Sequence, residues 1–300
     1  MKVVVAGGSG ALGRRLCDDL AGRGHEVVVL TRSPGRPGAH RQVGWDGRSV
    51  GPWAAELDGA AVVNLAGELV DRRPTRAGTA LLTRSRVEPT RALAAAAAQR
   101  ARPVPVWVQA STLAVHGDAG DAVLTEASPP ADGPPQMAGV ARAWEDAARD
   151  LPAQRAVLLR TGVVLERGTP ALDRLLLLVR LGAGGRVGSG RQWVSWVHVE
   201  DWLAVVRTAL DPAGGLDGVV VASSPAPVRN AELMAELRRA LRRPPAPPTP
   251  ALVVRLGALA LRSDPALGLT GRRALPVRLL RSGFHFEHPD LRGALADLLR

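Results

Sequence analysis

The feature that most constrains this chain is a run of glycines close to its N-terminus. A β-branched segment, Val3–Val5, leads into the spacing Gly-x-x-Gly-x-x-Gly, and a helical pattern follows from Ala11 to Arg23. A strand, a tight turn and a helix in this order form a unit whose helix N-terminus binds pyrophosphate through backbone N–H groups. We therefore predict a dinucleotide-binding loop made of Gly7, Gly8, Ser9, Gly10, Ala11, Leu12 and Gly13.

The end of the second strand indicates which dinucleotide this loop accepts. The strand Glu26–Leu30 is followed by Thr31 and Arg32, at the position where NAD-binding units place an acidic residue against the ribose 2′-hydroxyl. Because an arginine at this position can pair with a 2′-phosphate, we predict that Thr31 and Arg32 select NADP as the cofactor. A glycine triplet alone also fits a simple turn. The second strand at the expected distance favours the cofactor site.

A later strand adds candidates for the adenosine side of the cofactor. The segment Ala60–Gly67 is apolar, ends in small residues and has the pattern of a buried parallel strand. Ligands of doubly wound sheets bind at the carboxyl ends of the strands. The predicted contacts here are Asn64, Leu65, Ala66 and Gly67.

Two further strand ends supply polar groups to the same crevice. The strand Val104–Gln109 is followed by Ala110, Ser111 and Thr112, and the strand Ala156–Thr161 has Arg160 near its end. We predict that Ala110 and Arg160 contact the cofactor. The hydroxyl groups of Ser111 and Thr112 can bind a substrate carbonyl or hydroxyl, although local capping of the backbone explains them equally well.

Composition narrows the class of protein. The 300 residues are 46% hydrophobic, which supplies a sizeable core, and the single cysteine, Cys17, allows neither an intramolecular disulfide nor a cysteine metal cluster. We predict no metal site. The net charge of +11 comes from scattered arginines without a DNA- or RNA-binding motif, so we expect an anionic cofactor and no nucleic acid.

No segment of the sequence has the pattern of a secretory signal or a membrane span. The N-terminus lacks a secretory signal pattern, and the longest leucine run, Leu175–Leu178, is far shorter than a membrane span of ~20 residues. We therefore expect a cytoplasmic protein that acts on a small molecule, with a homodimer as a possible assembly.

The order of the elements predicts an α/β fold, a Rossmann-type doubly wound parallel sheet with a smaller C-terminal substrate lobe. We predict a core over residues 1–165, with strand and helix returns at about 190–222, and a mixed substrate-binding lobe over residues 166–300. A long helix is expected over residues 75–99, kinked or restarted at Pro89, and another over residues 137–149.

Several stretches, taken together and in order, resemble one superfamily. They are Gly7–Gly13, Leu30–Ser33, Asn64–Glu68, Thr83–Val87, Trp144–Glu145, Leu159–Leu165, Gly188–His198 and Gly283–Phe286. The chain resembles the extended short-chain dehydrogenase/reductases, and within them an atypical branch: the epimerase family, or nucleoside-diphosphate-sugar epimerase-like proteins, with a C-terminal domain of unknown function. The resemblance implies NADP in the Rossmann domain. It also implies a catalytic role for Thr112 and a place near the active site for Arg86.

The chain departs from this superfamily where the chemistry is performed. Extended members commonly use Tyr-x-x-x-Lys, with the tyrosine as general acid or base. This chain contains no tyrosine, and its only lysine is Lys2. The atypical branch tends to have Trp-Glu instead, matched here by Trp144 and Glu145. His116 lies where that branch often has an aromatic residue, and an imidazole can replace the missing proton donor.

These observations leave more than one function open. We expect an NADP-dependent oxidoreductase or epimerase-like enzyme in which Thr112, with Ser111 and His116, handles the proton. A redox-neutral isomerase or lyase that keeps the cofactor as a scaffold is a second possibility. The missing tyrosine and lysine also fit an NADP-sensing or regulatory protein without turnover.

Overall fold

Seven parallel strands form the central sheet of the computed structural model, which describes residues 1–35 and 39–300. Strands are numbered along the chain, and the sheet contains β1 (Lys2–Ala6), β2 (Glu26–Thr31), β3 (Arg41–Gly44), β4 (Ala61–Asn64), β5 (Trp107–Thr112), β7 (Ala156–Thr161) and β11 (Gly218–Ala222). Their order is β11-β7-β5-β4-β1-β2-β3. The direction of strand addition reverses between β1 and β4, which places a crevice at the carboxyl ends of these two strands.

Short strands outside this sheet connect the later segments of the chain. They are β6 (Val123–Leu124), β8 (Val163–Leu165), β9 (Trp193–Val194), β10 (Trp196–His198), β12 (Val228–Arg229) and β13 (Arg273–Ala274). Three pairs result: β6 with β13 and β8 with β10 are parallel, and β9 with β12 is antiparallel. The first pair ties the C-terminal part of the chain to the loop that follows β5.

The helices cover both faces of the sheet and build the C-terminal part. They are α1 (Ala11–Gly22), α2 (Arg76–Ala97), α3 (Val140–Ala147), α4 (Pro170–Arg180), α5 (Val199–Leu210), α6 (Asn230–Ala240), α7 (Ala251–Ala260), α8 (Ala266–Leu269), α9 (Val277–Arg281) and α10 (Leu291–Leu298). In the described part of the chain, none of them is long and apolar enough to cross a membrane.

Alternating residues of β1 belong to two separate hydrophobic cores. Val3 and Val5 pack in a cluster that includes α1 and α5, whereas Val4 and Ala6 pack in a second cluster with α2. Because successive side chains of a strand point to opposite faces, this division shows that both faces of the sheet are covered. The predicted α/β class and the doubly wound parallel sheet are confirmed.

A third hydrophobic core lies outside the sheet. It is built from side chains of α4, α6 and α10 together with Leu165 and Trp196 of the short pair β8 and β10. β11 returns to the sheet as its edge strand beside β7. The boundary proposed at residue 165, between the two predicted domains, stays a prediction.

Candidate active site

Two glycines of the predicted loop occupy positions that a side chain would block. Gly7 has φ +81°, and a Cβ there would lie 2.7 Å from the backbone carbon of Leu65. A Cβ on Gly13 would lie 2.2 Å from the carbonyl oxygen of Gly7. L-residues rarely adopt the first conformation, and the second spacing is a steric overlap. The loop can therefore turn sharply and hold α1 close to the end of β1.

The N-terminus of α1 is open to an anion. Its N-cap, Gly10, offers no side chain, and the turn is closed by the Gly10 N–H donating to the Gly7 oxygen at 3.0 Å. The N–H groups of Ala11, Leu12 and Gly13 have no helical acceptor because they belong to the first turn, and the N-cap residue supplies no side-chain acceptor to them. Together with the helix dipole, these groups fit a pyrophosphate.

Residues at the end of β2 form the part of the crevice predicted to bind the 2′-phosphate. Thr31 is buried, and its hydroxyl accepts the Ser33 N–H at 3.3 Å. The Arg32 side chain is 74% exposed and lies 3.6 Å from the Glu68 carboxylate. Glu68 also pairs with Arg72 at 2.9 Å. Thr31 thus shapes the turn, and Arg32 is a largely exposed cation whose long pair with Glu68 a phosphate can replace.

Asn64 is buried below the loop that follows β4. Its amide nitrogen donates to Thr90 Oγ1 and Gln109 Oε1, both at 3.0 Å, and its Oδ1 accepts the Ala66 N–H at 3.1 Å. The Leu65 N–H donates to the carbonyl oxygen of Ala6 in β1 at 2.8 Å. Asn64 is therefore a positioning residue, and Leu65, Ala66 and Gly67 remain predicted contacts of the cofactor.

Arg86 supports the same loop from α2. It is 7% exposed, and its guanidinium donates to the carbonyl oxygens of Leu82 at 3.1 Å and Glu68 at 2.9 Å. The guanidinium also lies 5.2 Å from the centroid of the Trp144 ring. Burial lowers the pKa of Arg86 to about 10, so it stays protonated at neutral pH. Its contacts hold the exit of β4 in place.

Three predicted site residues meet in one buried network around Glu145. Ser111 Oγ donates to Glu145 Oε1 at 2.6 Å, and Arg160 donates to both carboxylate oxygens, at 3.0 Å from Nε and 2.8 Å from Nη2. The Arg160 and Glu145 side chains are 5% and 11% exposed. Arg160 Nη1 also lies 3.4 Å from Nε2 of His116. The Ser111 and Arg160 side chains thus both bind Glu145. This geometry does not support the substrate contact predicted for Ser111 or the cofactor contact predicted for Arg160.

The contacts of His116 fix it as a neutral ring. Its Nδ1 lies 3.0 Å from the Pro129 carbonyl oxygen, an acceptor, and its Nε2 faces the Arg160 guanidinium, a donor. The hydrogen must therefore be on Nδ1. Burial lowers the pKa of His116, and the Arg160 charge lowers it further. The geometry therefore does not support the predicted role of His116 as a proton donor, because its hydrogen points to a backbone carbonyl.

Thr112 keeps a hydroxyl hydrogen for a ligand. It is the last residue of β5, it is half-buried, and its Oγ1 accepts the Ala114 N–H at 3.2 Å. Within the described residues the hydroxyl has no acceptor of its own. Ala110 lies further back in β5, opposite Leu159 of β7, and is partly buried. Of the predicted catalytic residues, Thr112 alone has the geometry to donate to a substrate.

An irregular turn precedes α3, where the sequence pattern predicts helix. Met137 has φ +65° and ψ −63°, a conformation that is strained for any residue except glycine. Its side chain is buried with Leu82, Ala114 and Val140. Met137 therefore places an apolar wall, without a titratable group, beside the turn that follows Thr112.

A cavity of about 710 Å³ lies between α2, this irregular turn and the C-terminal segment. It is lined by Pro74, Thr75, Arg76, Thr79, Ala80, Thr83, Arg84, Pro134, Pro135, Gln136, Asp264 and Ala266. Buried Gln136 is fixed in its wall, because its amide donates to the Arg72 carbonyl oxygen at 2.8 Å and accepts from Thr79 at 3.3 Å. The cavity is large enough for a small molecule.

In the described part of the chain, one cluster has the composition of a metal site. The ligand atoms of His198, His288 and Asp297 lie within 4.8 Å of one another. However, Nδ1 of His198 accepts the Glu200 N–H at 3.1 Å, so the hydrogen of the neutral ring is on Nε2, which faces Asp297 at 3.4 Å. A metal at Nε2 would displace this hydrogen, and the arrangement does not favour one.

Fold and site together define a class of protein. An open N-terminus of α1 above a seven-stranded parallel sheet, with a switch point between β1 and β4, is the architecture of a Rossmann protein that binds a nicotinamide dinucleotide. The hydroxyl at the end of β5 and the later lobe are features of the extended short-chain dehydrogenase/reductases.

Comparison with known proteins makes the assignment specific. The chain belongs to the NAD dependent epimerase/dehydratase family, which matches residues 3–221, and residues 249–298 match a domain of unknown function, DUF1731. It is 36% identical over 308 residues to Epimerase family protein SDR39U1 of Bos taurus, with all of both chains covered. It is also 36% identical to Epimerase family protein Mb2239 of Mycobacterium bovis, over 98% of this chain and 96% of the relative.

A solved structure extends the likeness to three dimensions. The crystal structure of the human epimerase family protein SDR39U1 with NADPH has a TM-score of 0.88 and 35% identity, covering 100% of this chain and 99% of that chain. The family confirms the predicted nicotinamide dinucleotide. The human protein contains the phosphate-bearing form that Thr31 and Arg32 predict. The resemblance to the epimerase family and its C-terminal domain is confirmed.

Proposed function

We propose that this chain is an NADP(H)-dependent oxidoreductase that acts on a carbonyl or hydroxyl group of a small organic substrate. The observation that carries the proposal is the free hydroxyl hydrogen of Thr112 at the end of β5, on the same edge of the sheet as the open N-terminus of α1. The bound cofactor supplies the hydride. Thr112 orients the carbonyl oxygen by donating a hydrogen bond to it.

The proton in this proposal comes from solvent. The chain has no tyrosine, and Lys2 is bound to Glu56 at 2.6 Å, at the opposite, amino-terminal end of β1. His116 directs its hydrogen to Pro129 and Ser111 directs its hydroxyl to Glu145. A hydrogen bond from Thr112 polarises the carbonyl without transferring a proton, which is weaker assistance than general acid catalysis supplies. We therefore expect slow turnover.

The experiment follows the deuterium label. The protein is incubated with (4R)- and (4S)-[4-²H]NADPH and a panel of aldehydes, ketones and 2-oxo acids, and the products are analysed by mass spectrometry. We expect one of the two cofactors to transfer deuterium. Thr112→Val should lower the rate about 10- to 100-fold, whereas Thr112→Ser should keep most of it. Transfer that is unchanged in Thr112→Val would refute the role of this residue.

A second candidate is an NADP(H)-sensing protein without turnover. It is favoured by the network around Glu145, which commits side chains near the crevice to structural contacts. A sensor must bind the reduced and oxidised cofactors with different affinity or in different conformations. Titration with NADPH and NADP⁺, followed by hydrogen exchange of each complex, separates the candidates. Equal affinities and equal exchange would exclude sensing.

A further inference from the structure

Arg272 lies in a segment held between β9 and the loop that follows His116. Its N–H donates to the Trp193 carbonyl oxygen at 3.0 Å, and its carbonyl oxygen accepts from Ser195 Oγ at 2.8 Å. The preceding residue, Gly271, donates its N–H to Asp118 Oδ1 at 3.0 Å. Hydrogen bonds from β9 on one side and from the loop after His116 on the other therefore hold the Arg272 backbone in place.

This segment borders the same crevice as Thr112. The Ser195 carbonyl oxygen accepts the Val163 N–H at 2.8 Å, two residues after the end of β7. β5 and β7 are adjacent, and Thr112 is opposite Thr161 in their register. The charge of Arg272 is also felt by His116, whose pKa it helps to lower. These contacts place the Arg272 segment beside the carboxyl ends of β5 and β7, which are separated from β1 in the sheet by β4.

The guanidinium of Arg272 lacks a compensating charge. Its Nε is buried without a hydrogen-bond acceptor, and its Nη2 has only Thr270 Oγ1, at 3.5 Å. Among the described residues no carboxylate lies within 4.0 Å of it. Asp118 acts on it from further away and instead binds the Gly271 N–H. Burial lowers the pKa of Arg272 because the charged form is poorly solvated.

Two further arginines of this region are held against the Trp193 ring. Arg273 and Arg229 both lie over the Trp193 ring, at 4.6 and 4.1 Å from its centroid, and the Nε of Arg273 also lacks an acceptor. Asp121 pairs with Arg229 at 2.6 Å, and among the described residues neither Arg272 nor Arg273 has a carboxylate within 4.0 Å. By contrast, the buried Arg160 is neutralised by Glu145. An uncompensated buried cation is costly unless a ligand completes it.

We propose that Arg272 binds an anionic oxygen group of the substrate, a carboxylate or a phosphate. The planar guanidinium offers two parallel N–H donors, which match the oxygens of either group. This inference rests on the proposed function, because it assumes that the crevice beside Thr112 accepts a substrate. It names the class: a small anionic carbonyl or hydroxyl compound.

The test measures anion binding without turnover. The protein is first saturated with NADP⁺ so that the glycine loop is filled, and its melting temperature is then recorded with inorganic phosphate and, separately, with oxalate. A ligand that binds the folded state raises the melting temperature. Arg272→Gln removes the charge, Arg272→Lys keeps it without the planar fork, and Arg84→Gln is the matched control, an exposed arginine on the wall of the 710 Å³ cavity.

We expect phosphate or oxalate to stabilise the wild type and Arg84→Gln equally. In Arg272→Gln the apparent affinity should fall about tenfold or more, with an intermediate loss in Arg272→Lys. The melting temperature of Arg272→Gln without anion should be equal to or above that of the wild type, because a half-buried charge whose Nε has no acceptor is removed. A structural role would lower it instead.

Three outcomes overturn the inference. The first is a lower melting temperature of Arg272→Gln without anion, which a structural role predicts. The second is a wild type whose melting temperature neither anion raises, and the third is a full anion response in Arg272→Gln, whether or not Arg84→Gln keeps it. Failure of the proposed function has a different signature. Anion binding through Arg272 with no deuterium transfer to any substrate would leave the anion site in place and refute the oxidoreductase.

Discussion

The two ends of the crevice are built on different principles. At the β1 end, backbone geometry makes the site: Gly7 and Gly13 bring the open N-terminus of α1 against the strand. At the β5 and β7 end, side chains dominate, and most of them bind one another through Glu145. The β1 end offers unpaired N–H groups to a ligand, whereas at the β5 and β7 end most polar side chains already have hydrogen-bond partners within the protein. The difference suggests that cofactor binding and chemistry have separate structural requirements.

The largest expected effect is on stability, at the β5 and β7 end of the crevice. Glu145→Gln leaves the buried guanidinium of Arg160 without its carboxylate, and we expect the free energy of unfolding to fall by about 3–5 kcal/mol. Urea unfolding measures it. Asp146→Asn, one residue further on, removes a surface pair with Arg149 and should change stability by less than about 1 kcal/mol. Equal effects of the two substitutions would mean that the network does not stabilise the fold.

The second prediction concerns the backbone end. Gly13→Ala places a Cβ where the Gly7 oxygen lies, so α1 must move away from β1, at a cost of about 1–3 kcal/mol. NADPH binding, measured by fluorescence titration, should be lost. Gly22→Ala is the control on the same helix, because its Cβ meets nothing within 4 Å. It should bind NADPH normally and be as stable as the wild type or more so. Normal binding by Gly13→Ala would refute the assigned loop.

A smaller effect is expected from the choice between the two dinucleotides. Arg32→Ala removes the exposed cation at the end of β2, and we expect NADPH affinity to fall about tenfold while NADH affinity stays the same. Isothermal titration with both cofactors gives the ratio. If both affinities fall equally, Arg32 does not read the 2′-phosphate.

The smallest predicted effect is on the pH dependence of stability. The pKa of His116 is lowered in the folded state, so below pH ~6.5 the unfolded chain binds more protons at this residue than the folded chain does. Stability therefore falls as the pH falls through this range. His116→Gln should show a shallower loss between pH 7.5 and 5.5 in urea unfolding. An unchanged slope would show that His116 does not contribute.

What the sequence predicts well is local. The glycine loop, the strand ends and the NADP-type end of β2 depend on residues that are neighbours along the chain, and the structure brings them to one edge of the sheet. The network around Glu145, by contrast, joins residues that are distant along the chain. Ser111 lies 34 positions before Glu145, and Arg160 lies 15 positions after it. The pairing of Arg160 with Glu145 therefore had no local signal, although the Trp144-Glu145 pattern marked the position.

Two helices show how tertiary packing overrides local rules. α2 runs without interruption from Arg76 to Ala97 through Pro89, so the predicted restart of the helix at Pro89 is wrong, whereas the predicted kink stays a prediction. Pro89 is buried and Thr90 is held by Asn64 and Trp144, so packing retains the helix around the missing N–H. α3 begins at Val140 instead of near Met137, because the strained turn at Met137 buries its side chain beside Ala114. The unpaired Arg272 had no sequence signal either.

The most direct test of the account is the pH profile of deuterium transfer from [4-²H]NADPH under single-turnover conditions. In the proposed reaction the cofactor transfers hydride to an anionic carbonyl substrate that Thr112 orients, and no side-chain acid titrates in the site. We therefore expect label in the product, loss of rate in Thr112→Val, and no inflection near neutral pH that His116→Gln removes. Absence of label with every substrate, or an inflection that disappears in His116→Gln, would contradict it.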